Sequence, residues 1–335
     1  MPKRKQIAVV GAGGWGTAVA LVLAKKGHAV TLWARREEFC EHLRQTRENT
    51  AYLPGILLPA NLHISNSLEE AVTEKDVVVT ATPTKAVRET VCLYKPYLNK
   101  ETIIVSLSKG FEKNTFLRSS QVIAQEVSSS KNVAVISGPN HAEEVARDIP
   151  TTTVAAAENI HVAEQVQEIF MTPKFRVYTN QDVIGVEVAG ALKNIIALGA
   201  GICDGLGYGD NTKAALMTRG ITEIARLGME MGAQGQTFAG LAGIGDLIAT
   251  CTSKHSRNWR TGYALGKGES LEEILQRTGM VVEGVATTDT AARLAEQFGV
   301  TMPITKALRD VLFHGKSPHL AVTDLMLRSK VNELE

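Results

Sequence analysis

Gly11-Ala12-Gly13-Gly14-Trp15-Gly16 has the G-x-G-x-x-G spacing of a phosphate-binding turn. It lies between an apolar strand run, Ile7–Val10, and a helical one, Trp15–Lys26. Glycines at these places allow a tight turn, close backbone approach to a pyrophosphate and tight helix–strand packing. The phosphates then meet the free N–H groups and positive dipole of the helix start. About twenty residues further on, NAD-binding turns usually carry an acidic side chain for the ribose hydroxyls. Here the segment reads Trp33-Ala34-Arg35-Arg36. Two guanidinium groups without that carboxylate favour a 2′-phosphate, hence NADP(H), with NAD(H) as the alternative. The bland reading makes both arginines solvated charges at a helix entry.

Four further segments hold reactive side chains. Ser106-Leu107-Ser108-Lys109-Gly110-Phe111 and Ser137-Gly138-Pro139-Asn140-His141-Ala142-Glu143-Glu144 each follow an apolar strand run. Lys193 and Asn194 lie within a helical run. Gly243-Ile244-Gly245-Asp246-Leu247, with Thr250-Cys251-Thr252-Ser253-Lys254-His255-Ser256-Arg257-Asn258, is rich in side chains that bind phosphate. Taken singly, Ser256 reads as a helix cap, Asp246 as a cap or turn residue, and Lys109 before glycine as a solvated turn. Lys193 differs, because an unpaired lysine inside the apolar stretch Val183–Leu198 would be costly.

The elements that must position these residues follow from periodicity. Ile7–Val10, Ala29–Trp33, Asp76–Ala81, Thr102–Leu107 and Val133–Ile136 read as strands alternating with amphipathic helices, an α/β pattern with a mostly parallel sheet. Thr151–Ala156 and Phe175–Tyr178, around a helix at Ile160–Phe170, extend that sheet. After Asp182 the apolar spacing turns helical in Val183–Ile202, Ala214–Met231, Leu271–Thr278, Thr287–Phe298 and Met302–Leu312. The expected fold is an N-terminal Rossmann-type domain, residues 1–185, joined by a long helix to an all-helical substrate domain, residues 186–335. Gly199-Ala200-Gly201 and Gly205-Leu206-Gly207-Tyr208-Gly209 read as close helix packing and a turn.

Composition narrows the partners. Lysine plus arginine (36) nearly cancels aspartate plus glutamate (35), leaving no field that would attract nucleic acid or a membrane surface. No uninterrupted apolar run is expected to reach the length that crosses a bilayer. The four cysteines lack C-x-x-C spacing, which argues against a zinc site, with no other metal expected, and for reduced thiols in the cytoplasm. A first strand starting at Gln6 leaves no room for a signal peptide. The apolar helical half is the candidate face for a homodimer.

Together with Asn49-Thr50-Ala51-Tyr52-Leu53-Pro54 and Val281-Val282-Glu283-Gly284, these motifs closely resemble the bacterial NAD(P)-dependent glycerol-3-phosphate dehydrogenases. The resemblance runs from the first strand to the end of the helical half. It implies reduction of dihydroxyacetone phosphate by NAD(P)H to sn-glycerol 3-phosphate, the backbone of phospholipids. It implies Lys193 as proton donor and acceptor, and Lys109, Gly138, Asn140, Asp246, Ser256, Arg257 and Asn258 around the substrate. Gly14, Trp15, Arg35, Arg36, Lys109, Ala142, Arg257, Val281 and Glu283 would touch the cofactor, beside the turn glycines Gly11, Gly13 and Gly16. The chain departs from the family at Asn140, where serine or threonine is usual.

The implied chemistry is sound in itself. Hydride transfer to a ketone builds negative charge on oxygen, which calls for a nearby cation and a proton source. A lysine serves both needs, although its ordinary pKa of about 10.4 is high for the task. Lys109 and burial would lower it, and Asp246 would oppose them, so the net direction stays open. His141 reads as a loop residue and Cys251 as a structural thiol. A β-hydroxyacid or sugar-acid dehydrogenase could use the same Ser256-Arg257-Asn258 grip for a carboxylate. A non-catalytic NADPH sensor would need none of the converging lysines.

Overall fold

The computed structural model describes residues 4–127, 132–278, 282–330 and 332–333. Among the described residues ten strands occur in chain order: β1 (Gln6–Val10), β2 (Ala29–Trp33), β3 (Glu48–Asn49), β4 (Leu53–Leu57), β5 (Leu62–Ser65), β6 (Val77–Thr80), β7 (Ile103–Ser106), β8 (Val133–Ser137), β9 (Thr151–Ala156) and β10 (Phe175–Asn180). Eight form one sheet in the order β10-β9-β8-β7-β6-β1-β2-β5, and β3 pairs with β4 in a separate antiparallel ribbon. Every pairing from β5 to β8 across the sheet is parallel. β9 runs antiparallel to β8, and β10 parallel to β9.

Residues on both faces of β1, β6 and β7 are buried, as their unbroken Val/Ile runs require of strands covered by helices on two sides. The chain leaves β1 toward β2 on one side and reaches β6 on the other, so neighbours β1 and β6 flank the point where strand order reverses. Ligands of open α/β sheets bind outside the carboxyl ends at such a point. The turns after β1, β6, β7 and β8 all open onto that edge.

Among the described residues, everything after Asn180 is helical or loop. The central helix Val183–Leu206 starts at Asp182, whose carboxylate accepts from Gly185 N at 2.9 Å, and stops at Gly207 with φ of 81°. By length and composition this 24-residue helix could cross a membrane, one 18-residue stretch of it averaging a hydropathy of 1.6, although Glu187 and Lys193 interrupt its apolar run. Protein covers 94% of that stretch, which makes it the core of the helical half rather than an exposed span. Its side chains pack with Ile224, Leu227, Phe238, Leu247, Leu294 and Leu308.

The glycine pairs mark close packing as expected. A Cβ on Gly201 would lie 2.0 Å from Trp259 O, and one on Gly262 would lie 2.0 Å from Leu198 O. The central helix and the Arg257–Gly266 helix therefore touch backbone to backbone, which brings Ser256-Arg257-Asn258 beside Lys193-Asn194. Strand β5 and the β3–β4 ribbon were not foreseen. β5 has only four residues, and β4 is broken by Pro54 and Gly55, so neither shows a readable period. The helix expected from Thr287 begins at Glu283 instead, with Gly284 N donating to Asn258 Oδ1 at 2.9 Å.

Candidate active site

The glycine turn is built from both ends. Gly11 holds φ of 122°, and a Cβ there would meet Ala81 O at 2.7 Å. A Cβ on Gly16 would meet Gly11 O at 2.0 Å, and one on Gly14 would meet Tyr52 O at 2.8 Å. Gly13 has nothing within 4 Å of that position, so the turn is open on the side where a phosphate would approach. The Gly14–Lys25 helix begins there without a side-chain cap, leaving its first N–H groups facing outward. Buried Asn49 braces the turn, its Nδ2 donating to Ala12 O at 3.0 Å and Thr17 Oγ1 at 2.7 Å. That explains why the Asn49–Pro54 segment belongs to the motif set. Ala142 also lies against the turn, 3.8 Å from the Cβ position of Gly14.

Among the described residues, buried Trp15 Nε1, Thr82 Oγ1, Thr84 Oγ1 and Ser137 Oγ lack hydrogen-bond partners. They stand at or just past the carboxyl ends of β1, β6 and β8, Trp15 in the first turn of the helix after β1 and Ser137 as the last residue of β8; Arg47 Nε and Ser119 Oγ, also without partners, lie elsewhere. Unpaired buried polar atoms are costly, and the place of the first four along this crevice fits a bound dinucleotide. Thr82 and Thr84 were not singled out from the sequence; a Thr-Pro-Thr turn straight after a strand was the available signal. Arg35 and Arg36 are exposed just past β2, with the Arg36 guanidinium 5.6 Å from the centre of the Phe39 ring.

Two lysines converge on one carboxylate. Lys193 Nζ donates to Asp246 Oδ1 at 2.5 Å and to Thr250 Oγ1 at 2.6 Å. Lys109 Nζ donates to Asp246 Oδ2 at 2.9 Å, Asn140 Oδ1 at 3.1 Å and Gly138 O at 3.2 Å. The side chains of Lys193 and Asp246 are only 7% and 3% exposed, so this is a buried cluster with one more positive than negative charge. Burial pulls the Lys193 ammonium down to about 8; Asp246 raises it and Lys109 lowers it again. The direction left open by the sequence is thus downward. Burial would push the Asp246 carboxyl up, but the two lysines outweigh it and hold it below the usual range. Thr250, one helical turn after Asp246, was quoted in its motif without a role; the i, i+4 spacing was the clue.

Gly138 and Asn140 were expected around the substrate; here their oxygens accept from the Lys109 ammonium. Asn140 Nδ2 meanwhile donates to Thr153 Oγ1 at 2.9 Å, so in this geometry both ends of the amide orient the site. Asn258 is similarly engaged: Nδ2 donates to Asn194 Oδ1 at 2.8 Å, and Oδ1 accepts from Gly284 N. Among the described residues, that leaves the second amide hydrogen of Asn258 unused. Ser256 caps its helix, accepting from Trp259 N at 3.2 Å, and Arg257 is exposed at the helix start. Burial raises the Glu283 carboxyl, while Arg257, Lys109 and Lys193 pull it back. Val281 lies outside the described residues. His141 Nε2 lies 3.3 Å from Ala249 O; burial lowers its pKa, which keeps the imidazole neutral. Burial pushes the Cys251 thiol up to about 12, consistent with a structural role.

Residues 6–163 match the family model described as NAD-dependent glycerol-3-phosphate dehydrogenase N-terminus, and residues 182–323 match the one for its C-terminus. The chain belongs to the NAD-dependent glycerol-3-phosphate dehydrogenase family. A glycerol-3-phosphate dehydrogenase [NAD(P)+] of Pelotomaculum thermopropionicum is 54% identical over 332 residues, 98% of this chain and 95% of the relative. One from Bacillus subtilis is 51% identical, over 99% of this chain and 96% of the relative. The crystal structure of glycerol-3-phosphate dehydrogenase from Coxiella burnetii superposes with a TM-score of 0.92 at 39% identity, covering 98% of this chain and 100% of that one. Membership of the glycerol-3-phosphate dehydrogenase family agrees with the eight-stranded sheet and helical second half.

Proposed function

We propose that this chain reduces dihydroxyacetone phosphate to sn-glycerol 3-phosphate, with Lys193 supplying the proton to the substrate oxygen. It is an oxidoreductase of the glycerol-3-phosphate dehydrogenase type and uses NAD(P)H, which supplies the hydride when bound. The observation that supports this reading is the buried Lys193–Asp246–Lys109 cluster, with two ammonium groups sharing one carboxylate. Its surplus positive charge stabilises an alkoxide as it forms, and its low exposure strengthens that attraction. An ammonium with a pKa of about 8 gives up its proton far more readily than an ordinary lysine does. Asp246 and Thr250 aim Lys193, while Gly138 and Asn140 aim Lys109. Ser256, Arg257 and Asn258 bind the substrate phosphate. Residues 1–185 carry the dinucleotide and residues 186–335 the substrate side.

The deciding experiment is NADPH oxidation with dihydroxyacetone phosphate, repeated with NADH and with a hydroxyacid panel in the reverse direction. Turnover of a hydroxyacid and none of the phosphate would reject the reading; cofactor binding without any hydride transfer would leave only a sensor. Because the donor must carry its proton, reduction should fall as pH rises through about 8, roughly tenfold per unit beyond it. A profile flat to pH 10 would remove Lys193 from the proton path. For the cofactor, replacing Arg35 and Arg36 together by alanine should raise the NADPH Michaelis constant about 10- to 100-fold and leave that for NADH nearly unchanged. Equal changes for both would show that the pair does not read the 2′-phosphate. We place the enzyme in the cytoplasm, feeding glycerophospholipid synthesis, with the helical half as its homodimer face.

A further inference from the structure

Outside the reacting groups, a second buried ion pair ties the Lys109 loop to the helix that carries Lys193. Arg118 Nη1 donates to Glu187 Oε2 at 2.6 Å, Ser120 N donates to Oε1 at 2.9 Å, and Ser120 Oγ donates to Oε2 at 2.5 Å. The Arg118 and Glu187 side chains are 10% and 5% exposed. Glu187 precedes Lys193 by six residues, about 9 Å along the helix axis, so it acts on the site only through other groups.

The route is short. Phe111 and Arg118 form an antiparallel bridge, and Glu112 N donates to Leu117 O at 2.9 Å, closing the loop between them. Phe111 is buried in the same helical core as Val188 and Leu192 of the central helix. Lys109 stands two residues before Phe111, separated by Gly110 in a positive-φ conformation. Fixing Arg118 therefore fixes Phe111, and with it the reach of Lys109.

We propose that Glu187 is a positioning residue for the reaction. Its grip on Arg118 and Ser120 clamps the Lys109–Arg118 loop to the central helix, so that Lys109 reaches Asp246 beside Lys193. This rests on the reading that Lys193 moves the proton. A buried ion pair is seldom worth more than an apolar pair of similar volume, so stability gives little reason to have one here. Two charged groups with three directed hydrogen bonds do set a register that apolar contacts would leave loose.

The charged and titratable groups that face Lys193 are Asp246, Lys109, Cys251, His141 and Glu283. Only Lys109 hangs on the clamped loop. If it withdraws, Asp246 acts on Lys193 with less opposition, and the ammonium persists to higher pH. Oxidation of glycerol 3-phosphate needs the neutral amine, so its acid limb should move upward.

The test compares wild type, Glu187→Gln, the apolar pair Arg118→Met with Glu187→Leu, and Lys109→Ala as the reference for a lost second ammonium. The readouts are the thermal midpoint and the pH profile of kcat for glycerol 3-phosphate oxidation. Glu187→Gln and the apolar pair should both lower kcat about tenfold. Both should also move the acid limb up by about one pH unit, as is expected of Lys109→Ala. The apolar pair should do so even where it restores the thermal midpoint. If it restores the wild-type limb and kcat together with stability, Glu187 serves packing alone and the proposal falls. It also falls if Lys109→Ala shifts the limb and neither clamp variant does. If Lys193→Ala keeps full turnover in the same assay, the reading of the site has failed, and the clamp proposal with it.

Discussion

Lys193→Ala is expected to lower the turnover of dihydroxyacetone phosphate about 10⁴-fold, some 5–6 kcal/mol of transition-state stabilisation. One side chain supplies both the proton and much of the positive charge facing the developing alkoxide, so its loss removes two contributions at once. The fold should survive, because Asp246 keeps its bond to Lys109 and Thr250 keeps its hydroxyl donation to Asp246 O at 2.6 Å. NADPH binding should be close to unchanged, since the glycine turn stands on Asn49, Ala81 and Tyr52 rather than on Lys193. Single-turnover hydride transfer and NADPH fluorescence titration measure the two quantities separately. Loss of both together would mean that the variant had misfolded. Turnover within tenfold of wild type would mean that the proton comes from elsewhere.

Asp246→Asn should have the second largest effect, and it should act on stability as well as on rate. The carboxylate is the shared partner of two ammonium groups, and removing one member of a buried ion cluster leaves uncompensated charge, a loss of about 3–5 kcal/mol. Denaturant midpoints at fixed pH would read it. An undiminished midpoint would show that the lysines are neutralised in some other way. The rate should change with a definite sign. Asp246 raises the Lys193 pKa, so without it the value should drop below about 8 and reduction should decline from a lower pH than in wild type. Loosening the Lys109 loop should shift the same limb upward. Opposite displacements from two neighbouring perturbations would be hard to explain by general damage to the site.

Much of this was legible in the residues, and the reasons are local. A turn that needs φ of 122° at Gly11, and room for no Cβ at Gly16, leaves a glycine signature whatever the rest of the chain does. Strands buried on both faces read as unbroken Val and Ile, and Val183–Leu206 reads as one long apolar helix. Short elements escaped for the converse reason: four residues of β5 carry too little pattern to separate from a loop. Asn140 and Asn258 were foreseen in the site, but Thr153 was not, and Asn194 was quoted beside Lys193 without its pairing to Asn258. An amide has donors and acceptors on both sides, and its type alone does not say which neighbours will engage them.

By itself, then, the sequence determined the dinucleotide turn, the order of strands and helices, and the set of side chains able to do the chemistry. These depend on backbone conformation and periodicity within a few residues. Only the tertiary structure decided that Asp246 joins Lys193 across 53 residues and Lys109 across 137. It also decided that burial outweighs that carboxylate and lowers the Lys193 pKa. Desolvation and charge pairing depend on how far apart atoms lie in space, and that is settled when the sheet edge closes on the central helix.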